Sequence, residues 1–186
     1  IFDPTYHQAE QRILLESFHY KHPDYFVGIS CPCCQPSEHV QWMRNNSRTD
    51  NLTWANLFVN GNYEYFKNKF FPIFSNWKGK VTLIANESGF KKKLPFEINE
   101  YFPINLGAFL NPYLEAILRH LEEKVQCDDN QLFLFSGGPL GNILAHRLHL
   151  INQKNTYIDI GSTINPWITR KNRSYLRKNK HKICIW

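Results

Sequence analysis

Short apolar runs alternate along the chain with longer stretches in which apolar residues recur every three or four positions. The first pattern predicts buried strands, and the second predicts helices that pack one face against them. The predicted strands are 25–29, 80–85, 132–135 and 157–162, with a further short strand at 95–98. Because strands and helices alternate, we predict an α/β fold with a mostly parallel sheet, formed by a single domain, 1–186.

Helices are predicted where apolar residues follow the spacing of three and four. They comprise 3–20, 38–44, two helices within 52–77 that break near 60–62, 111–125 and 142–151. Asp3 or Thr5 can cap the first of them, and Asn111-Pro112 is a typical start for 111–125. The aromatic face predicted within 52–77 comprises Tyr63, Phe66, Phe70 and Phe74.

The composition is that of a folded globular domain. Of the 186 residues, 42% are hydrophobic and 15% aromatic, which is enough for a substantial core. No apolar run approaches the roughly 20 residues of a membrane-spanning helix. The N-terminus, Ile1-Phe2-Asp3-Pro4, lacks the basic and apolar regions of a signal peptide. Because the first residue is not Met, we interpret the chain as a fragment of a longer protein that lacks its N-terminal part.

The cysteines indicate a reducing, cytoplasmic location. There are five, an odd number, and three of them lie in Cys31-Pro32-Cys33-Cys34, which is a poor framework for disulfides. Together with His39, these cysteines are residue types that bind zinc. Their Cys-x-Cys-Cys sequence differs from the usual paired ligands, and no second cysteine pair follows downstream. The pattern therefore favours thiols without a metal.

Positive charge is concentrated in a C-terminal segment. The net charge is +6, and seven basic residues without an intervening acid lie within 170–182. They are Arg170, Lys171, Arg173, Arg177, Lys178, Lys180 and Lys182. Such a cluster is compatible with nucleic acid, an anionic membrane or a pyrophosphate, and equally with a solvated tail.

Residues 136–141, Ser-Gly-Gly-Pro-Leu-Gly, join a predicted strand to a predicted helix. Glycines allow a ligand to approach the backbone, and the N–H groups at a helix N-terminus attract phosphate. The turn matches neither G-x-G-x-x-G nor the Walker sequence, and ordinary strand-to-helix turns also use Gly and Pro. In α/β domains, however, this edge of the sheet is where phosphate-bearing ligands bind. The segment therefore predicts a nucleotide or nucleotide-sugar ligand.

Two acidic residues lie at or beyond the ends of predicted strands. Asp159 alternates with Ile158 and Ile160, so its side chain faces away from theirs. It is predicted either to bind a ribose hydroxyl, a metal or an acceptor hydroxyl, or to cap the next turn. Glu87 follows strand 80–85 and is either a site residue or part of an Asn/Gly turn.

The helix 142–151 contains two histidines that resemble metal ligands in type. The spacing of His146, Arg147 and His149 does not match a metal-binding face. We predict that these side chains are solvated or support neighbouring residues.

The chain resembles glycosyltransferases of the GT-D type, most clearly over its last third. The resemblance rests on the Ser-x-Gly turn within 136–141, the Asp-x-Gly-Ser strand end at 159–162, the pair Pro166-Trp167, and Arg-x-Tyr at 173–175. That family is Rossmann-like and acts in bacterial and viral surface-glycan synthesis. The resemblance implies a Rossmann-like three-layer sandwich, a nucleotide-sugar donor and a glycan acceptor.

The resulting hypothesis is a glycosyltransferase with assigned site residues. The donor-binding residues are Gly137, Gly138, Gly161, Ser162, Tyr175 and Arg170, and the catalytic residues are Asp159, Glu87 and Arg173. Arg170 or Arg173 would neutralise the departing nucleotide, and Asp159 or Glu87 would serve as a general base or bind a donor hydroxyl. The family's acidic Gly-Asp-Gly-Glu motif is absent, so no metal ligands are assigned, and Mn²⁺ or Mg²⁺ would require an acidic motif upstream of Ile1.

Two other functions are compatible with parts of the pattern. A Rossmann-type methyltransferase that uses S-adenosylmethionine would also have a glycine turn and an acidic strand end. In that class the glycine turn follows the first strand, whereas here it comes late in the chain. A non-enzymatic module could bind nucleic acid through 170–182, although nucleic acid is not our expected partner.

Overall fold

The computed structural model of the protein describes residues 5–105, 113–169 and 173. The helices are α1 (Gln8–His19), α2 (Ser37–Asn46), α3 (Tyr63–Ser75), α4 (Tyr113–Cys127), α5 (Pro139–Ile151) and α6 (Asn165–Ile168). The strands are β1 (Val27–Ile29), β2 (Leu52–Trp54), β3 (Val81–Asn86), β4 (Glu100–Ile104), β5 (Leu132–Ser136) and β6 (Thr156–Asp159). Three predictions lie outside the described residues: the Asp3 cap, the helix start at 111–112, and the basic segment apart from Arg173.

The main sheet has four strands in the order β4-β3-β5-β6, and all its described pairs are parallel. The two central strands are buried on both faces, and Leu83, Ile84, Phe133 and Leu134 are fully inaccessible. A continuous apolar run is the sequence expected of a parallel strand covered on both sides. The predicted α/β fold, Rossmann-like with a mostly parallel sheet, is confirmed.

The strand order reverses between β3 and β5. From β3 the chain passes to β4 on one side, and from β4 it crosses to β5 on the other side. The β3–β4 connection packs Leu94, Phe96 and Ile98 on one face of the sheet, whereas α4 and α5 cover the opposite face. The carboxyl ends of β3 and β5 therefore flank a crevice, since connections leave them on opposite faces.

Two apolar layers enclose the sheet. On one face, α4 and α5 pack on Ile84, Phe133 and Phe135. On the other face, α3 and α6 pack on Leu83 and Leu134, and α3 contributes its aromatic residues to this layer. Because successive strand residues point to opposite faces, each central strand contributes to both layers. The result is the three-layer sandwich that was predicted.

A second, two-stranded sheet corrects the prediction of two helices within 52–77. Residues 52–54 form β2, which pairs in parallel with β1, and only α3 is an α-helix in this region. Backbone bonds from Val27 N to Asn51 O (2.9 Å) and from Ala55 N to Ile29 O (2.8 Å) extend the pairing. Three residues are too few to show a period, so the aromatic spacing dominated the sequence pattern.

The strand predicted at 95–98 is also wrong, because the next strand along the chain, β4, begins only at Glu100. Asn99 sets this start, because its backbone N donates to Val81 O (2.9 Å) and its Oδ1 accepts from Val81 N (2.7 Å). Phe96 is buried against α3 instead of pairing in the sheet. Within α3, Tyr63, Phe66 and Phe74 are buried as predicted. Phe70 is only partly covered, and Phe71 is buried in addition.

Among the described residues, none of the helices has the length and apolar character needed to cross a membrane.

The central strand provides a test of the two-layer core. Leu134 is fully buried, so we expect Leu134→Ala to lower the free energy of unfolding by about 2–5 kcal/mol through lost burial and a residual cavity. Urea denaturation measures this change. The control is Leu150→Ala, because Leu150 is 48% exposed on α5 and its truncation should cost much less. Equal losses in the two variants would contradict the described core.

Candidate functional site

A cleft of about 610 Å³ lies at the carboxyl edge of the main sheet. It is lined by residues that end β3, β4 and β5, by the turn after β6 and by α6. Asn86 and Ser136 belong to the two strands that flank the reversal of strand order. The volume falls in the range of roughly 300–1,000 Å³ that is usual for small-molecule sites. The topology therefore puts this cleft at the edge where α/β domains bind ligands.

The turn between β5 and α5 forms one wall of the cleft. Gly138 has φ 60° and ψ −139°, which is the mirror image of extended backbone and is open only to glycine. A Cβ at Gly138 would meet nothing within 4 Å, whereas one at Gly137 would lie 2.8 Å from Ile104 Cδ1. Glycine is favoured at the two positions for different reasons. Residue 138 has dihedral angles that only glycine adopts easily, whereas a side chain at 137 would meet Ile104. Both line the cleft, and their role in donor binding stays a prediction.

Helix α5 begins three residues earlier than predicted, at Pro139, and this brings its N-terminus to the cleft. Pro139 is suited to this position because its fixed φ fits the helix and its missing N–H is not needed there. Gly138 at the N-cap has no side chain that could cap the first-turn N–H groups. Such a helix end favours an anion through its N–H groups and its dipole.

The second wall is the turn after β6, which contains Gly161 and Ser162. Gly161 has φ 53°, and a Cβ there would meet nothing within 4 Å. The Ser136 hydroxyl donates to Gly161 O at 2.5 Å, which joins this turn to the end of β5. Gly161 and Ser162 therefore lie beside Gly137 and Gly138, and the structure brings all four predicted residues to one cleft.

Asp159 supports this turn and is not among the described residues that line the cleft. Its Oδ1 accepts a hydrogen bond from Gly161 N at 2.8 Å. Its carboxylate also lies over α5, since a Cβ at Gly141 would be 3.2 Å from it. Of the two predicted roles, capping of the next turn is supported by this hydrogen bond, and the role in catalysis or ligand binding stays a prediction.

The environment of Asp159 makes its carboxyl harder to ionise than that of an exposed aspartate. Burial raises the pKa of Asp159 to about 6, and the hydrogen bond from Gly161 opposes that shift. Burial also raises the pKa of Tyr25, and the nearby Tyr20 and Asp159 add to the rise. Tyr25 and Asp159 therefore lie on the side of the sheet covered by α5, close enough for the charge of Asp159 to act on Tyr25.

Glu87 and Asn86 differ in their access to the cleft. Asn86 lines it, and its Oδ1 accepts from Ser88 N at 3.0 Å while its carbonyl accepts from the Tyr101 hydroxyl at 2.5 Å. Glu87 is exposed in the following turn and does not belong to the described lining. The turn interpretation accounts for these contacts, and the catalytic role of Glu87 stays a prediction.

Arg173 is the one cationic side chain among the described residues that line the cleft. It is exposed, so its guanidinium has little desolvation cost and can turn toward a bound anion. Arg170 and Tyr175, the other residues predicted for donor binding in this segment, lie outside the described residues.

Sequence reasoning missed the lining residues Ile104, Asn105, Asn165 and Thr169. Ile104 and Asn105 lie at the end of β4, a strand that the hydrophobic pattern put several residues too early. Asn165 begins α6, a four-residue helix that is too short for periodicity to reveal. An Asn-Pro pair at 165–166 was the available signal, since Pro is common at the first helical position.

Two histidines predicted to be solvated or supporting are buried, which excludes the solvated alternative for both. His146 is 4% exposed and His149 5% exposed, and they contact Tyr20 and Tyr25. Both His149 ring nitrogens are buried without a hydrogen-bond partner among the described residues. Burial lowers the pKa of each histidine, with further lowering from Arg147 for His146 and from His22 for His149.

No family model, no curated protein and no solved structure matches the chain.

Gly138 provides a test of the first cleft wall. We expect Gly138→Ala to lower the free energy of unfolding by about 1–3 kcal/mol, because an L residue is strained at these dihedral angles even where space is free. Urea denaturation measures the loss. Asn142→Ala, at an exposed position of α5, is the control and should change stability by less than about 0.5 kcal/mol. Unchanged stability in Gly138→Ala would show that the turn is not as described.

His149 provides a test of the buried histidines. Its pKa is lowered in the folded protein, so the unfolded chain takes up the proton first as the pH falls through about 6.5. This contribution to stability is complete above that pH and is lost below it. Replacing the unpaired imidazole in His149→Phe should therefore reduce the loss of unfolding free energy on acidification.

The measurement is urea denaturation of both proteins at about pH 7.5 and about pH 5.5, on either side of the ordinary histidine pKa. Asp159, whose raised pKa acts in the opposite direction, is present in both proteins and does not affect their difference. His120→Phe replaces an exposed histidine of α4 as the control. Identical pH dependence in wild type and His149→Phe would refute the assignment.

Proposed function

We propose that the protein is a glycosyltransferase that binds a nucleotide-sugar donor in the cleft at the carboxyl edge of the main sheet. One observation carries the proposal: two glycine turns, the N-terminus of α5 and the Arg173 side chain line the same cleft. The glycines permit close approach of a diphosphate to the backbone. The helix end and the guanidinium both favour negative charge.

The chemistry needs charge stabilisation above all. In glycosyl transfer, the bond between the anomeric carbon and the donor phosphate oxygen breaks, and the nucleoside diphosphate leaves with that electron pair. An acceptor hydroxyl oxygen forms the new bond to the anomeric carbon and loses its proton to a base. N–H groups at the start of α5 and the Arg173 guanidinium would stabilise the charge that develops on the leaving diphosphate.

The base is assigned to a carboxylate, with Asp159 and Glu87 as the two candidates. A pKa of about 6 leaves Asp159 mostly ionised at neutral pH while it stays basic enough to accept a proton. Its hydrogen bond to Gly161 gives it, in addition, a positioning role toward the second glycine turn. Glu87 is the solvent-accessible alternative.

The described residues do not fit a Mn²⁺ or Mg²⁺ site in the cleft. Hard cations of this kind prefer several oxygen ligands. The only described group of three or more metal-ligating side chains consists of Cys31, Cys33 and Cys34, which are soft sulfur ligands outside the cleft lining. No step of the proposed reaction is therefore routed through a divalent metal.

A panel of ligands tests the class of reaction. The melting temperature is measured with uridine, guanosine, cytidine and thymidine diphosphate sugars, with the free diphosphates, and with S-adenosylmethionine, each with and without Mn²⁺. We expect at least one nucleotide sugar and its free diphosphate to raise the melting temperature, because a ligand that binds the folded state stabilises it. Stabilisation by S-adenosylmethionine alone would overturn the proposal in favour of a methyltransferase.

Arg173→Ala tests the role of the cleft arginine. Hydrogen bonds to charged groups contribute about 1.5–3 kcal/mol, so the dissociation constant for the nucleoside diphosphate should rise by about 10–100-fold. Isothermal titration calorimetry measures this, and hydrolysis or transfer of the donor sugar should fall in parallel. Because the side chain is exposed, the melting temperature without ligand should stay unchanged.

Arg119→Ala is the matched control, since Arg119 is an exposed arginine of α4 and lies outside the described cleft lining. The two variants remove the same charge, so they separate local contact from a general electrostatic effect. Equal loss of affinity in both would contradict the proposed contact with the diphosphate.

A further inference from the structure

The turn that joins β1 to α2 gathers three cysteines outside the cleft. Cys34 N and Gln35 N both donate to Cys31 O, at 3.0 and 3.2 Å. This tight turn folds the side chains of Cys31, Cys33 and Cys34 toward each other, and their sulfur atoms all lie within 4.8 Å of one another. The backbone thus arranges three potential ligands before any ion binds.

The closest pair of sulfur atoms is too far apart for a disulfide and slightly closer than two ligands of one zinc ion. Sγ of Cys31 lies 3.0 Å from Sγ of Cys33, well beyond the S–S bond length of about 2.05 Å. In a tetrahedral zinc site, Zn–S bonds of about 2.3 Å put sulfur atoms about 3.8 Å apart. Cys31 and Cys33 reach that spacing if their sulfur atoms separate by about 0.8 Å, which side-chain rotation provides.

Asn56 supplies the environment that a thiolate needs. Its Nδ2 lies 3.3 Å from Cys31 Sγ and 3.9 Å from Cys34 Sγ, with the amide as donor. A hydrogen bond donated to sulfur favours the thiolate over the thiol. Asn56 follows β2, whereas the cysteines follow β1, so an ion at this point would also hold together the chain beyond both strands of the small sheet.

Burial divides the cluster into a closed and an open side. Cys31 is fully buried, while Cys33 and Cys34 are exposed. An ion can therefore enter from solvent, and it retains one coordination position toward water. This combination of three sulfur ligands and one open position suits soft ions, for which thiolates are the preferred protein ligands.

We propose that Cys31, Cys33 and Cys34 bind one thiophilic metal ion, Zn²⁺ or Cu⁺, through three thiolate sulfurs. Each thiol loses its proton to the solvent as its metal–sulfur bond forms, so no oxidant or reductant is needed. The Cys-x-Cys-Cys sequence also contains a Cys-x-x-Cys pair, since two residues separate Cys31 from Cys34, as in common zinc-binding turns. The site is independent of the proposed glycosyl transfer.

The test uses the reduced full chain under anaerobic conditions. Zn²⁺ is titrated against a colorimetric chelator, Cu⁺ is titrated against a Cu⁺-specific chelator, and Co²⁺ serves as a spectroscopic probe for sulfur-to-metal charge transfer. We expect one equivalent of Zn²⁺ or Cu⁺ to bind and the two separate titrations to identify which ion is preferred. Affinity should fall as the pH is lowered, because protons compete for the thiolates.

Cys33→Ser and Cys34→Ser are the test variants, and both positions are exposed, so folding should be preserved. Each should weaken binding of the preferred ion by at least about 100-fold, since loss of a ligand exceeds the roughly 10–100-fold effect of supporting residues. Cys127→Ser is the matched control, because Cys127 is an exposed cysteine of α4. Its thiol donates a hydrogen bond to Glu123 O at 3.1 Å. This variant should bind like wild type. Binding of neither ion, or equal binding in all four proteins, would overturn the proposal.

Discussion

The parallel pairing of β3 with β5 is the constraint on which the rest of the structure depends. These strands are buried on both faces, so their backbone N–H and C=O groups have to be satisfied by each other and by β4 and β6. The in-register pairing from Val81 opposite Leu132 to Ala85 opposite Ser136 meets that requirement. It also fixes where both strands end, and therefore where the crevice between their connections opens.

The fold was predictable because its signals are long and consistent. The apolar runs that became β3 and β5 are continuous, and α4 repeats its buried leucines at spacings of three and four. The elements that the sequence pattern did not predict are short. Strand β2 has three residues and α6 has four, so neither can display a period. The start of β4 depends on the contact of Asn99 with Val81, which is distant in sequence and has no local signature.

The candidate site also combines residues that have a local sequence signal with contacts that depend on distant parts of the chain. Gly137, Gly138, Gly161 and Ser162 were identified because turns at strand ends use recognisable residues. The alternation along β6 predicted that Asp159 faces away from Ile158 and Ile160, as it does. Its contact with α5 was not predictable, because it depends on a glycine of α5 that leaves room for the carboxylate. The burial of His146 and His149 depends on Tyr20 and Tyr25, which come from a segment more than a hundred residues earlier. The three-cysteine turn was visible in the sequence, but the contribution of Asn56 was not.

Helix α5 has a consequence that joins distant parts of the molecule. Its first residues face the cleft, and its second half holds both buried histidines. A helix of this length is stiff, so a charge that forms on the histidines acts on the same rigid element whose first residues line the cleft. Because burial lowers the pKa of both histidines, protonation of either disfavours the packed position of the helix. The acidity around one end of α5 therefore bears on the packing of residues that line the cleft at the other end.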